Sequence, residues 1–152
     1  VRQRVVRVFL DTNVLASAAA TRGLCADVLR EVLASHLLLI STQVLIELKR
    51  VLATKFGVPQ ELIDDFMALL RQDTVLAQPG QLPRLKIQDR DDLPILSAAI
   101  SAGADVFVTG DKELLDIGQI ENLAILSPRQ FWEKLKAKPR RRVRIRKSPR
   151  SR

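Results

Sequence analysis

The segment DRDDLPILSAAISAGADVFVTGDKELL, residues 89–115, decides the fold because it predicts a helix, a buried strand and a second helix in succession. The first helix is predicted from small and apolar residues that recur on one face, namely Leu93, Leu96, Ala99, Ile100 and Gly103. The run DVFVTG, residues 105–110, has the composition of a buried strand, and Asp111 begins the next helix. Helices that alternate with strands in this way are typical of a parallel α/β sheet.

The same alternation continues on both sides of this segment. Further strands are predicted at residues 5–10, 37–40, 74–77 and 123–126. Further helices are predicted at residues 23–36, after a cap at Ser41 or Thr42, from Pro59, and from Ser127-Pro128, with a loop at residues 78–88. We therefore predict an α/β fold, a three-layer α/β/α sandwich around a mainly parallel sheet of four to five strands.

Composition limits the class of protein. The chain has 152 residues, of which 47% are apolar, so it can form one sizeable core and is not a disordered chain. Its one cysteine, Cys25, can form neither an internal disulfide nor a zinc site, which suits a reducing cytosol. Asp11 and Asn13 interrupt the first apolar stretch, so we expect no signal peptide, no membrane span and a cytoplasmic location.

The positive charge is concentrated in the last residues. Residues 136–152 contain ten Lys or Arg and no acid, whereas the rest of the chain has a net charge of −2. We predict a folded domain at residues 1–135 and a basic, disordered tail at residues 136–152. The tail could bind nucleic-acid phosphates through Arg140, Arg141, Arg142, Arg144 and Arg146. Alternatively, it is a solvated extension without a role.

Acidic residues occur where a ligand site is expected. Asp11 and Asp111 directly follow predicted strands, and Asp92 lies at the start of a helix. Ligands of open parallel sheets bind beyond the carboxyl ends of the strands. Glu47 lies about 100° from the middle of the apolar arc of its helix, so it can turn into a cleft beside the sheet. Taken singly, Asp92 and Asp111 could instead be helix caps, Asp11 could end a strand, and Glu47 could be solvated.

Three segments, in order, resemble the PIN-domain nucleases. They are LDTNVLASA (residues 10–18), ISTQVLIELKRVL (residues 40–52) and the opening segment, residues 89–115. The resemblance extends over roughly residues 5–135, and the closing SPRQFWEKL, residues 127–135, is most like the VapC-like toxins of toxin–antitoxin pairs.

The resemblance implies a set of site residues and partners. The acidic quartet of the family corresponds to Asp11, Glu47, Asp92 and Asp111 as catalytic residues and metal ligands, with Asn13 and Thr109 as polar helpers. Asp89 is the second choice in place of Asp92, and Asp91 also stands close to it. The resemblance further implies an RNA substrate, a homodimer and a cognate antitoxin that holds the nuclease inactive.

Electrostatics favour a metal independently of the resemblance. Two carboxylates about 5 Å apart repel each other by about 3 kcal/mol at an effective dielectric near 20. A divalent cation removes this penalty, and oxygen ligands without His or Cys indicate Mg²⁺ or Mn²⁺. The single histidine, His36, makes a two-histidine mechanism unfavourable, and no phosphate-binding glycine-rich loop is present.

Together with this inventory, the resemblance to PIN-domain nucleases implies a Mg²⁺- or Mn²⁺-dependent ribonuclease, a hydrolase of RNA phosphodiester bonds that serves as the toxin of a toxin–antitoxin pair. One alternative is a PIN-type nuclease of housekeeping RNA processing, which would use the same site. The other is a non-catalytic α/β module that binds RNA or a protein partner and whose acids are helix caps.

Overall fold

The computed structural model describes residues 4–137, which form a mixed α/β fold around one sheet. The sheet has the strand order β3-β2-β1-β4-β6-β5, and every neighbouring pair is parallel except β5 and β6. The strands are β1 (Arg7–Leu10), β2 (Leu37–Ser41), β3 (Val75–Ala77), β4 (Val106–Val108), β5 (Gln119–Ile120) and β6 (Leu123–Leu126).

Helices cover both faces of the sheet. They are α1 (Thr12–Ala20), α2 (Leu24–Ser35), α3 (Thr42–Thr54), α4 (Gln60–Asp73), α5 (Asp92–Ser101), α6 (Lys112–Ile117) and α7 (Pro128–Lys136). Helices α1, α2, α3, α4 and α7 contact one another in a chain, whereas α5 packs on β2 and β3 and α6 packs on β6. Right-handed crossovers put helices on opposite faces when the chain reverses its direction across the sheet. The predicted three-layer α/β/α sandwich is confirmed.

The two central strands are buried because their side chains are apolar on both faces. All residues of β4 and three of the four residues of β1 are buried. The rings of Phe9 and Phe107 stack with centroids 5.4 Å apart and planes 10° from parallel. This contact packs β1 against β4 one residue before the carboxyl ends of both strands.

Local sequence signals explain where several helices begin. The Ser41 hydroxyl accepts a hydrogen bond of 3.2 Å from the Val44 N–H, so Ser41 is the cap of α3. Ser127 and Gln130 form a reciprocal capping box at α7, with Pro128 in the first turn. His36 ends α2, and its Nδ1 accepts a hydrogen bond of 3.0 Å from the Val6 N–H. These caps fix the helix ends that the sequence predicts.

Two elements differ from the sequence prediction. The sheet has six strands rather than four to five, because the two-residue β5 pairs antiparallel with β6 at one edge. A strand of two residues is too short to show a period in its sequence. Helix α1 was not predicted either, since the run LASAAA is apolar on all sides and shows little helical periodicity.

The remaining predictions about the chain ends have different outcomes. Among the described residues, no helix combines the length and the apolar character needed to cross a membrane. Arg140, Arg141, Arg142, Arg144 and Arg146, the candidate nucleic-acid contacts of the tail, lie outside the described residues. The division into a domain at residues 1–135 and a tail at residues 136–152 stays a prediction.

Candidate active site

A cavity of about 460 Å³ lies at the carboxyl ends of β1 and β4. These strands are parallel neighbours, with Leu10 in register with Val108. The chain leaves β1 towards β2 on one side and returns to β4 on the other, so the strand order reverses between them. Five carboxylates line this cavity: those of Asp11, Glu47, Asp89, Asp92 and Asp111.

Asp11 is held rigidly between the end of β1 and the start of α1. Its Oδ1 accepts a hydrogen bond of 3.0 Å from the Val14 N–H, so the carboxylate is the N-cap of α1. Its Oδ2 accepts a hydrogen bond from the hydroxyl of Thr109, which is completely buried. Both oxygens therefore have a fixed direction before any ligand binds.

Thr109 links the two strand ends from behind the cavity. While its hydroxyl donates to Asp11, the same oxygen accepts a hydrogen bond of 3.0 Å from the Asp111 N–H. Asp111 in turn caps α6, since its Oδ1 accepts a hydrogen bond of 2.8 Å from the Glu113 N–H. The cap interpretation of Asp111 is therefore correct for one oxygen, and the residue still lines the cavity.

Glu47 reaches the cavity from the second turn of α3, and both its oxygens are hydrogen-bonded. Thr12 donates to Oε1 at 3.0 Å, and Gln43 donates to Oε2 at 3.2 Å. The side chain is half-buried, as its place at the border of the apolar stripe predicts. The Glu47 carboxylate is therefore not a freely solvated side chain.

The three acids before α5 occupy different places. Asp91 stands at the N-cap position but makes no side-chain cap bond, and it is absent from the cavity lining. Asp92, the first helical residue, and Asp89, in the preceding loop, both line the cavity. Asp89 also accepts a hydrogen bond of 2.9 Å from the Asp91 N–H. The cap interpretation of Asp92 is wrong, because Asp91 holds that position.

The cavity disfavours negative charge on two of its acids. Burial, followed by repulsion from Asp89 and then from Asp111, Asp11 and Glu47, raises the pKa of Asp92 to about 7. Burial also raises the pKa of Asp11, against the opposing effect of its hydrogen bonds. A cation in the cavity would offset this repulsion between the carboxylates.

The raised pKa of Asp92 predicts a pH dependence of stability in the metal-free protein. Its stabilising contribution is fully present below the ordinary value of 3.8 and is lost as the pH rises through about 7. The neutral side chain of Asp92→Asn lacks this dependence. Because Asp92 is half exposed, solvent screening limits the effect, and we expect the variant to melt about 2–4 °C higher than the wild type at alkaline pH. Thermal melts from about pH 5 to about pH 8 test this, and parallel curves would contradict it.

The residues fit a hard divalent cation by their chemistry. Carboxylates are the ligands that Mg²⁺ and Mn²⁺ prefer, and no His or Cys lines the cavity. In the part of the chain that the structure describes, no three His, Cys, Asp or Glu side chains form a group already close enough to hold a metal ion. Binding therefore requires the carboxylates to converge around the ion.

Further residues in or beside the cavity were found only from the structure. Thr12 and Gln43 donate hydrogen bonds to Glu47. Lys55, at the end of α3, is the one cation that lines the cavity among residues 4–137. Asn13, predicted as a helper, is exposed and lines the cavity. Lys55 follows Glu47 by two helical turns, a spacing that could have indicated it, whereas the roles of Thr12 and Gln43 depend on contacts across the fold.

A sequence profile decides the family. The profile of the PIN domain matches residues 7–113, which is more than half of the chain. The chain belongs to the PIN-domain family. All four acids of the predicted quartet lie within the matched range, and proteins of this family are typically nucleases.

The fold of this PIN domain is similar to a solved structure. It matches a chain in the crystal structure of VapBC2 from Rickettsia felis bound to a DNA fragment from their promoter, with a TM-score of 0.55 and 18% sequence identity. The alignment covers 80% of this chain and 98% of that chain. At this identity the similarity shows the fold alone. Among curated proteins, no sequence matches significantly.

Proposed function

We propose that this PIN domain is a Mg²⁺- or Mn²⁺-dependent ribonuclease that hydrolyses RNA phosphodiester bonds. The observation that carries the proposal is the meeting of Asp11, Glu47, Asp92 and Asp111 at one cavity, at the place where the strand order reverses. Helix capping alone does not explain why four acids share a cavity in which the neighbouring charges raise the pKa of Asp92. Membership of a family of nucleases agrees with this chemistry.

The residues of the chain have distinct parts in this proposal. Asp11, Glu47, Asp92 and Asp111 would hold the cation, with Asp89 as the second choice in place of Asp92. Thr109 fixes the direction of the Asp11 carboxylate, and Asn13 offers a polar group at the exposed side of the cavity. A bound divalent ion supplies an activated water and neutralises charge on the phosphate. Lys55 adds a positive charge at the rim, where an RNA phosphate would approach.

Cleavage assays test the proposal directly. The full chain is incubated with structured and unstructured RNA in Mg²⁺, in Mn²⁺ and in excess chelator, with Asp11→Asn as control. We expect cleavage only with metal, and products with a 5′-phosphate and a 3′-hydroxyl, because in this mechanism a water would attack the phosphorus and the 3′ oxygen would leave. Recovery of 2′,3′-cyclic phosphate ends would show that the 2′-hydroxyl attacks instead, and would overturn this mechanism.

We further propose that the ribonuclease is the toxin of a toxin–antitoxin pair, acts as a homodimer in the cytoplasm and is inhibited by a cognate antitoxin protein. The closing segment, residues 127–135, supports this by its resemblance to such toxins, and the similar fold was crystallised as VapBC2. Growth arrest on expression, relieved by the product of a neighbouring gene, is the expected result. Normal growth would favour a housekeeping RNA-processing nuclease.

The basic tail is proposed to strengthen RNA binding through its arginines. Since the domain before it has a net charge of −2, phosphate attraction would come mainly from residues 136–152. Neutralising about five phosphates would make the affinity fall steeply with salt, with a slope of about −3.5 for single strands. RNA affinity is therefore compared, across salt concentrations, between the full chain and a chain that ends at Leu135. Equal slopes would leave the tail without a role in binding.

A further inference from the structure

One amide group beside the cavity connects the carboxylate of Glu47 to the backbone at the start of α5. Gln43 lies in the first turn of α3, and its Nε2 donates to Glu47 Oε2 at 3.2 Å and to the Asp91 carbonyl oxygen at 3.0 Å. Glu47 belongs to α3, whereas Asp91 is the residue just before α5 and is 48 positions away in the chain from Gln43. The side chain is half-buried between the two elements.

The first of these hydrogen bonds completes the support of the Glu47 carboxylate. Thr12 already donates to Oε1 from the start of α1, so the carboxylate has one donor on each oxygen. Two donors from different helices leave a carboxylate little freedom to rotate. Gln43 achieves this as a neutral donor, so it adds no positive charge that would compete with a cation in the cavity.

The second hydrogen bond holds the start of α5. Asp91 occupies the N-cap position without a side-chain cap bond, and the local hydrogen bonds of the Asp91 and Asp92 N–H groups go to Asp89. Gln43 instead binds the Asp91 carbonyl from outside the helix, next to the backbone of Asp92. This contact therefore connects the start of α5, and with it Asp92, to the helix that carries Glu47.

An amide–carboxylate pair four residues apart on a helix can also be a mere surface contact. The chain contains such a pair, in which Gln60 donates to Asp64 at 2.9 Å on the exposed face of α4. Gln60 has no second partner in another element among the residues described. The bond to Asp91 is what separates Gln43 from this ordinary helix contact.

We propose that Gln43 is a positioning residue that sets the spacing between Glu47 and Asp92 and so determines how tightly the cavity binds a divalent cation. This inference rests on the proposed function, since it requires that both carboxylates contact the same ion. Hydrogen-bond donors to ligand carboxylates commonly change metal affinity by about 10- to 100-fold.

The test compares Gln43→Met with the matched control Gln60→Met in the full chain. Met has a similar length and helix propensity but no donor, so each variant loses only the hydrogen bonds of the amide. Binding of Mn²⁺ is measured by isothermal titration calorimetry. We expect the Kd of Gln43→Met to rise about tenfold and that of Gln60→Met to stay at the wild-type value. Gln43→Ala, a strong helix former without donors, should weaken Mn²⁺ binding equally.

Hydrogen exchange of the metal-free chains gives a second readout. Backbone amides at Asp91 and Asp92 should exchange faster in Gln43→Met than in the wild type, because the turn before α5 loses its tether. The same amides should be unchanged in Gln60→Met. A purely structural effect on α3 would alter the thermal melt without this local difference.

The outcomes separate this inference from the proposed function. If Asp11→Asn loses Mn²⁺ binding but Gln43→Met binds within about twofold of the wild type, the positioning role is overturned and the metal site stands. If the wild-type chain does not bind Mn²⁺, or Asp11→Asn binds it equally well, both proposals are overturned. The positioning role is supported if Gln43→Met and Gln43→Ala bind Mn²⁺ more weakly than the wild type while Gln60→Met binds it as tightly as the wild type.

Discussion

Asp11→Asn is expected to lower RNA cleavage by about a thousandfold or more, because a ligand of a catalytic metal supports several kcal/mol of transition-state stabilisation. Asp11 is the acid at the end of the central strand β1, and its carboxylate has both oxygens directed by hydrogen bonds. Asparagine keeps the shape but lacks the negative charge. The loss therefore measures the charge and not the packing.

The same substitution should leave the fold intact. Asn is as good an N-cap as Asp, so its side-chain oxygen can still accept the Val14 N–H at the start of α1. Because burial raises the pKa of Asp11, the ionised carboxylate destabilises the metal-free fold near neutral pH. The amide nitrogen cannot accept the hydrogen bond that the Thr109 hydroxyl donates to Asp11, and this loss opposes the gain. We expect the two effects to offset each other, so that Asp11→Asn stays folded and melts within about 4 °C of the wild type.

The activity and the melt are measured together, with Asp116→Asn as control. Asp116 is an exposed acid on α6 that pairs with Lys112 at 3.2 Å, away from the cavity lining. This control should cleave RNA at the wild-type rate. Wild-type activity in Asp11→Asn would remove Asp11 from the catalytic site, and would favour the non-catalytic binding module.

Thr109→Val is expected to have the second large effect, on both stability and activity. The variant is nearly isosteric but loses the hydroxyl that donates to Asp11 and accepts from the Asp111 N–H. Since Thr109 is completely buried and the methyl group of Val fills the place of the hydroxyl, no water can take that place. We expect the free energy of unfolding to fall by about 1–3 kcal/mol. Cleavage should fall by about 10- to 100-fold, because Asp11 loses its orientation.

Thr109→Ser is the matched control for this prediction. Serine keeps the hydroxyl and loses only a methyl group, so it should retain most of the cleavage activity while a small cavity lowers its stability. Urea unfolding and single-turnover cleavage are measured for both variants. If serine and valine impair cleavage equally, packing rather than the hydroxyl determines the effect, and the link between the two strand ends has no catalytic part.

The sequence predicted those parts of the fold that depend on local patterns. The strand before Asp11, the strand before Thr109 and the cap at Ser41 all follow from runs or residues that act within a few positions. Helix α1 and strand β5 were missed for the opposite reason. The first is apolar on all sides, and the second consists of two residues that pair only because β6 lies beside them.

The sequence predicted the part of the site that depends on acidic residues at the ends of strands. Asp11 and Asp111 follow strands that are neighbours only if the chain reverses across the sheet, which the parallel α/β pattern predicts. The choice among Asp89, Asp91 and Asp92 depends on the turn before α5, where the Asp92 N–H bonds to the Asp89 carbonyl at 3.1 Å. The bond from Gln43 to Asp91 joins segments that no local pattern relates.

The most direct test of the account is to locate Mn²⁺ in crystals of the chain by its anomalous scattering. We expect a peak inside the cavity, coordinated by carboxylate oxygens of Asp11 and of at least one of Glu47, Asp92 and Asp111 at about 2.2 Å, the distance typical of hard oxygen ligands. Saturating Mn²⁺ that leaves the cavity without a peak, or a peak that involves none of these acids, would contradict the claim that they share one cation.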